Sequence, residues 1–251
     1  MSSPATFEVI PLGVGNFFST LRYNSSLLLI ASGKQVLIDL PDPFFRMCAE
    51  ASKASGRDIE PDQLDHIMIT HIHGDHTNGL EAFGFWRKFV GKKGKVPTIH
   101  TTNAVADILW QKLSGSMAHA ELPPDGEIQD FELKDYYRVE RFDFGDTVEV
   151  CGIEFETRRT MHSVPCYGFR ATHGGRRFGY SCDTYFDPEL IAFLEPCDLI
   201  FHECDFGMHT AQGSLEGLPE PLRKKIRLIH LNDEFTGSTI EASEQGKVYR
   251  V

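Results

Sequence analysis

Thr70-His71-Ile72-His73-Gly74-Asp75-His76 packs His71, His73, Asp75 and His76 into six residues, and no other segment constrains the chain as strongly. It follows the apolar run Ile67-Met68-Ile69 and precedes a helix-like stretch from about Asn78. An apolar strand therefore delivers three imidazoles and a carboxylate to one point at its C-terminal end. Such donors suit zinc, iron or manganese, cations of intermediate hardness. The pattern predicts the core of a two-metal hydrolytic site.

Two ions held close together need further donors at other strand ends. Three positions have that form: His162 before Ser163-Val164-Pro165, Asp183 after Tyr180-Ser181-Cys182, and His230 after Leu228-Ile229. Each is a polar group closing an apolar strand, where a rigid element holds it in place. The histidines at 66, 100, 173, 202 and 209 are expected not to be ligands.

Periodicity and turn residues predict strands over 7–12, 26–31, 35–39, 65–70 and 98–100, and helices over 44–55, 78–90 and 103–115. An irregular surface loop is expected over 119–132, around Pro123-Pro124-Asp125-Gly126. Segments near 137–139, 147–150 and 153–157 read as one antiparallel run. A hairpin is expected over 169–181 around His173-Gly174-Gly175, then a helix over 187–194, a strand over 198–202, a helix over 219–225 and a strand over 226–230. Gly91-Lys92-Lys93-Gly94-Lys95 reads as a solvated basic turn. With no Pro/Ser/Gly-rich linker of useful length, one domain over 1–251 is the simplest organisation. Loops over 13–24, 115–135 and 204–218 are expected to build the substrate pocket, with Phe17, Phe18, Phe206 and Met208 as an apolar wall.

The formal net charge of −11 gives the whole chain no attraction for a phosphate backbone, so a long nucleic acid is a poor default partner. Met1-Ser2-Ser3-Pro4-Ala5-Thr6 carries no export-signal pattern, and no apolar run reaches spanning length, so no membrane association is expected. Six cysteines without a C-x-x-C pair fit reduced thiols in a cytoplasmic protein. A small-molecule substrate is expected, and a homodimer is left open.

Taken in order, Thr70-His71-Ile72-His73-Gly74-Asp75-His76, His162, Asp183 and His230 resemble the metallo-β-lactamase superfamily over roughly Leu12 to His230. Asp39, closing Leu37-Ile38, matches that superfamily's early structural aspartate. The resemblance implies an α+β fold, a four-layer αβ/βα sandwich of two mixed sheets packed face to face with helices outside. It implies that His71, His73 and His162 bind one ion, that Asp75, His76 and His230 bind the other, and that Asp183 and a hydroxide bridge them. Zinc is the first expectation, with iron or manganese as alternatives.

Leu12-Gly13-Val14-Gly15 and the segments 162–170, 183–184 and 198–203 resemble the phosphodiesterase branch, which includes tRNA 3′-processing endonucleases. That likeness gives a functional reading to His202 and Glu203. Asp75, Glu203, His202 and His209 are the candidates for orienting a hydroxide or passing a proton, with Tyr185 as a further candidate. The long basic arm of the tRNA-processing enzymes has no counterpart here, so a small phosphodiester such as a cyclic nucleotide is the expected substrate. A lactone or thioester hydrolase on the same ions, and a non-enzymatic diiron dioxygen sensor, are the competing readings.

Overall fold

A computed structural model describes residues 6–92, 94–122 and 124–251; Lys93 of the basic turn, Pro123 of the expected surface loop and 1–5 of the N-terminal segment lie outside it. The first half runs β1 (Phe7–Gly13), β2 (Ser26–Ala31), β3 (Lys34–Ile38), α1 (Phe44–Ser55), β4 (His66–Met68), α2 (Gly74–Thr77), α3 (Gly79–Phe85), β5 (Thr98–Thr102) and α4 (Asn103–Met117). A hairpin of β6 (His119–Leu122) and β7 (Glu127–Asp130) follows, then α5 (Leu133–Tyr136) and β8 (Arg138–Phe142). The second half runs β9 (Thr147–Val150), β10 (Ile153–Arg159), β11 (Tyr167–His173), β12 (Arg176–Tyr180) and α6 (Pro188–Leu194). It closes with β13 (Leu199–Glu203), α7 (Gln212–Glu216), α8 (Glu220–Arg223), β14 (Ile226–Ile229) and β15 (Tyr249–Arg250).

Among the described residues, and apart from the two-stranded hairpin of β6 and β7, the strands form two mixed sheets, in the orders β15-β1-β2-β3-β4-β5-β8 and β14-β13-β12-β11-β10-β9. Strand alternation then builds three apolar layers. Val9, Leu29, Ile38 and Met68 of the first sheet face Phe155, Phe169, Tyr180 and Phe201 of the second across the central core. The opposite face of the first sheet, through Leu28, Leu37 and Ile67, buries Phe44 and Met47 of α1, Phe83 of α3 and Leu109 of α4. The outer face of the second sheet, through Ile200 and Leu228, buries Leu190 and Leu194 of α6 and Leu222 of α8. Helix, sheet, sheet, helix is the four-layer sandwich expected from the sequence.

Local chemistry fixes several ends. The Asp187 side chain accepts from the Glu189 amide at 2.9 Å, and Pro188 starts α6 where no N–H is needed. Gly56 closes α1 in the left-handed region at φ 65°.

Three expectations need correction. The segment 119–132 is not irregular: its two short strands pair in antiparallel register from His119–Asp130 to Leu122–Glu127. Its side chains are largely exposed, and each strand is only four residues long, too short for the alternation of His119-Ala120-Glu121-Leu122 to stand out. β8 is not part of an antiparallel run with β9 and β10. It pairs parallel with β5 in the first sheet, and the chain changes sheets only after Phe142. The helix expected over 78–90 is two pieces, α3 and a wider turn over Trp86–Val90, and the short α2 precedes it within the histidine cluster.

Candidate active site

β3 and β4 run parallel, as do β12, β13 and β14. Their C-terminal ends meet at one edge of the sandwich, the usual place for a site in such sheets. Asp39 follows β3, the histidine cluster follows β4, Asp183 follows β12, Glu203 ends β13 and His230 follows β14. Asp39, Cys182 and His230 take left-handed conformations at φ 58°, 50° and 59°. Such conformations are disfavoured for side chains with a Cβ and collect at functional sites. Here they turn the chain sharply where it leaves the sheet.

The fully buried Asp39 organises the cluster. Its carboxylate accepts from the Thr70 amide and hydroxyl at 2.8 Å each, and from His76 Nδ1 at 2.7 Å. The Thr70 hydroxyl has thus spent its one hydrogen, and at 3.1 Å it accepts from His71 Nδ1. Both imidazoles thereby keep their Nε2 lone pairs free. A close approach holds α3 against this point: a Cβ on Gly79 would lie 2.4 Å from Leu40 Cδ2 and 2.6 Å from the Pro41 carbonyl.

The seven expected donors converge in two groups that share one residue. His71, His73, His162 and Asp183 have donor atoms within 4.8 Å of one another, and so do Asp75, His76, Asp183 and His230. His162 Nε2 is 2.9 Å from His73 Nδ1. Asp183 lies 3.3 Å from His76 Nε2 through one oxygen and 3.5 Å from His230 Nε2 through the other. Buried His71 Nε2, His76 Nε2 and Asp183 Oδ1 have no hydrogen-bond partner among the described residues. Buried polar atoms are normally satisfied, so these three fit a cation-binding space. Imidazole with carboxylate suits a divalent ion of intermediate hardness.

Electrostatics follow from crowding. Burial and the neighbouring His76 hold His71 well below the ordinary imidazole range. Burial also lowers His76, but the Asp183, Asp75 and Asp39 carboxylates outweigh it and raise that imidazole well above. His230 is likewise raised to about 9, burial losing to Asp183 and Asp75. Burial would raise Asp183, but His230 and His76 hold it well below the ordinary carboxylate range. The carboxylates therefore demand cationic partners, which protons or metal ions can supply, and bound metal displaces those protons.

Beside the two donor groups lies a third pair. Glu203 is fully buried and accepts from the Thr184 amide at 2.5 Å and from His209 Nδ1 at 2.9 Å. Burial pushes its carboxyl up to about 7, partly offset by His209. His209 stacks on His230 with centroids 4.9 Å apart and faces the cleft. His202 does not join them. Strand alternation turns it away from Glu203, and its Nδ1 meets the Glu203 carbonyl at 2.8 Å. Tyr185, 53% exposed, lines an adjoining groove. His66 and His100 pair with each other at 3.0 Å, and His173 contacts Ser32 at 2.9 Å.

The cleft above the donors has a volume of about 460 Å³. Phe17 and Phe18 wall it from the loop after β1, and Phe206 and Met208 from the loop after β13, as expected from the sequence. The expected contribution of 115–135 is absent from its described lining, because the described residues there form the end of α4, the exposed hairpin and the start of α5. Sequence reasoning gave no role to Thr70 and Thr184, whose hydroxyl and amide respectively meet His71 Nδ1 and the Glu203 carboxylate. Neither residue type carries a signal until its partner is placed.

The chain is similar to YhfI of Bacillus subtilis, a metallo-β-lactamase fold protein, at TM-score 0.77 and 18% identity, over 98% of this chain and 100% of that one. This is the metallo-β-lactamase fold. It is 26% identical to the cAMP/cGMP-dependent 3′,5′-cAMP/cGMP phosphodiesterase B of Dictyostelium discoideum over 87% of this chain, a stretch that spans 20% of that protein. It is 31% identical to an Anti-Pycsar protein Apyc1 of Saccharibacillus brassicae over 96% of this chain and 98% of that relative. The family model described as Anti-Pycsar protein Apyc1 matches residues 7–250, and the chain belongs to that family.

Proposed function

We propose that this metal-dependent hydrolase opens the phosphodiester ring of small cyclic nucleotides, using two divalent cations held side by side. The observation that carries this reading is the pair of four-donor groups that share Asp183 at the floor of one cleft. His71, His73 and His162 would hold one ion and Asp75, His76 and His230 the other, with Asp183 between them. Zinc suits these donors best, with manganese or iron as alternatives. When bound, such ions supply Lewis acidity and lower the pKa of water from about 15.7 to about 7.

The rest of the chemistry falls to the protein. Asp75 lies 3.2 Å from His230 Nε2 and faces the cleft, where its second oxygen can orient a water toward phosphorus. Opening the ring forms one P–O bond to water and breaks one ester P–O bond. The departing ribose oxygen needs a proton. His209 would deliver it, a reading supported by Glu203 holding Nδ1, which leaves Nε2 for the substrate. The walls offer apolar side chains to a nucleobase, and the cleft suits a mononucleotide in volume. The similarity to a cAMP/cGMP phosphodiesterase and the net charge of −11 both favour a small substrate over RNA.

The test is elemental analysis of protein purified without added metal, with cyclic nucleotide hydrolysis followed on the same sample. About two zinc or manganese ions per chain, with turnover lost on chelation and restored by metal, is the expected result. Turnover that survives complete metal removal would falsify the reading. Turnover of lactones or thioesters alone would move the substrate class while keeping the ions.

A further inference from the structure

The cleft walls are exposed aromatic and methionine side chains, and such groups do not hold a fixed position by packing. Phe17 is 50%, Phe18 78%, Phe206 62% and Met208 73% exposed. Their backbones, however, are tied together at one buried carboxylate, Asp205, which is 9% exposed. Asp205 accepts from Asn16 Nδ2 at 2.6 Å, from Asn232 Nδ2 at 2.8 Å and from the Phe206 amide at 2.9 Å. The Asn16 amide has only one orientation available, because its Oδ1 accepts from the Phe18 N–H at 3.1 Å. Its NH2 must therefore point at Asp205.

Asn16 precedes Phe17 and Phe18, Asp205 precedes Phe206 and Met208, and Asn232 follows His230 by two residues. One carboxylate thus joins both walls of the cleft to the strand end that carries a floor residue. The Asn16 NH2 meets one oxygen of Asp205 and the Phe206 N–H the other, so position 205 must present two acceptor oxygens. Of the side chains of this size, only an ionised aspartate does so. An asparagine would offer one oxygen and one NH2, leaving one partner facing a donor. A second carboxylate, Asp233, holds the far side of the same loop, accepting from the Thr20 amide and hydroxyl at 2.7 Å each. Phe17 also touches the floor: a Cβ added to Gly74 would lie 3.1 Å from its ring.

We propose that Asp205 is a positioning residue for substrate: it fixes the spacing of the Phe17–Phe18 and Phe206–Met208 walls and so sets substrate affinity without taking part in bond breaking. The proposal rests on the cyclic-nucleotide reading above for its substrate. A wall misplaced by about 1 Å is enough to cost an enzyme much of its productive binding.

The experiment compares wild type, Asp205→Asn and the exchange variant Asn16→Asp/Asp205→Asn in three measurements: metal content, steady-state hydrolysis of cyclic AMP, and amide hydrogen exchange over 16–22. Asp205→Asn is expected to keep its metal and its kcat within about twofold while KM rises about tenfold. Exchange over 16–22 is expected to quicken by about the same factor. The exchange variant restores a matched donor and acceptor, because the carboxylate now at position 16 accepts from the amide now at position 205 and still accepts from the Phe18 N–H. It is expected to recover both KM and exchange, which general loss of stability would not do. Asn16→Ala removes the same bond from its other end and covers the case in which Asp205→Asn does not fold. Unchanged KM and exchange, a collapse of kcat with loss of metal, or no recovery in the exchange variant would each overturn the proposal. Wild-type protein with full metal and no cyclic nucleotide turnover sinks the functional reading instead, and the exchange arm still decides whether Asp205 holds the walls.

Discussion

The two sheets build the site in different ways. The first sheet supplies Asp39 and then His71, His73, Asp75 and His76 from one strand end and the short helix after it. The second supplies His162, Asp183, Glu203, His209 and His230 from separate strand ends and loops. The first contribution is local: four side chains sharing one strand exit and one buried aspartate have almost no freedom left. The second is non-local, since His162, Asp183 and His230 meet only after β11 to β14 have paired. A site made in this way has one half preorganised by sequence neighbours and the other by the fold.

Asp183 is where the halves join, so replacing it should do the most damage. Asp183→Asn removes the oxygen shared by both donor groups, and a fall in turnover of about 10³-fold or more, with fewer than two ions per chain, is expected. Retention of both ions and near-normal turnover would show that the halves do not depend on a shared carboxylate. His209→Gln tests the second half alone. Metal content should hold while kcat falls about 10² to 10³-fold, with the least deficit on substrates whose leaving group needs no proton. An equal loss on p-nitrophenyl and cyclic substrates would remove His209 from proton transfer.

Asp39→Asn tests the first half. It weakens the hold on His76 Nδ1 and the Thr70 hydroxyl, and metal affinity should fall about 10 to 100-fold, as for other groups that orient ligands. Competition with a chelator of known affinity measures it, and unchanged affinity would mean the cluster orients itself.

The smallest effect lies away from the site. Arg57 grips Glu8 in two bonds of 2.8 Å, tying the segment after α1 to β1. The hydrogen bond from Arg57 holds the Glu8 carboxyl below its usual value, against partial burial. The folded pKa is depressed, so this stabilisation is present above the unfolded carboxylate value near 4.5 and is lost as pH falls through the folded value. Glu8→Gln should cost about 1 kcal/mol at neutral pH, read from urea midpoints. Its curve should converge with wild type below that range, and a constant gap down to about pH 3 would assign the cost to packing instead.

The contrast between the halves also explains what could be read in advance. The cluster 71–76 is legible because four donors in six residues have few other uses. His162, Asp183 and His230 are legible as polar ends of apolar strands, and β1 to β3 as alternating or apolar runs between turns. His202 misleads because a His-Glu pair in sequence says nothing of which neighbour faces the cleft. Strand alternation turns Glu203 toward His209 and His202 toward the helix layer, with Ile200 and Cys204. β8 misleads because a short strand announces its existence and not its partner, and its pairing with β5 depends on α4 closing the crossover between them. The hairpin of β6 and β7 is hard to see because its strands are four residues long and largely exposed.

By itself, the sequence determined the kinds of donors, their order and the apolar strands that bear them, because periodicity and residue chemistry are local properties. No helix of the described residues is long and apolar enough to cross a membrane, in keeping with a sequence that has no apolar run of that length. Only the tertiary structure decided that Asp183 sits between two donor groups, that Glu203 holds His209, and that one carboxylate at 205 gathers Asn16 and Asn232. Glu203 and His209 are 6 positions apart in the chain, and Asn16 and Asp205 are 189 apart. The first contact needs the loop after β13 to turn back on its strand end, and the second exists only once the two sheets have packed on a common core.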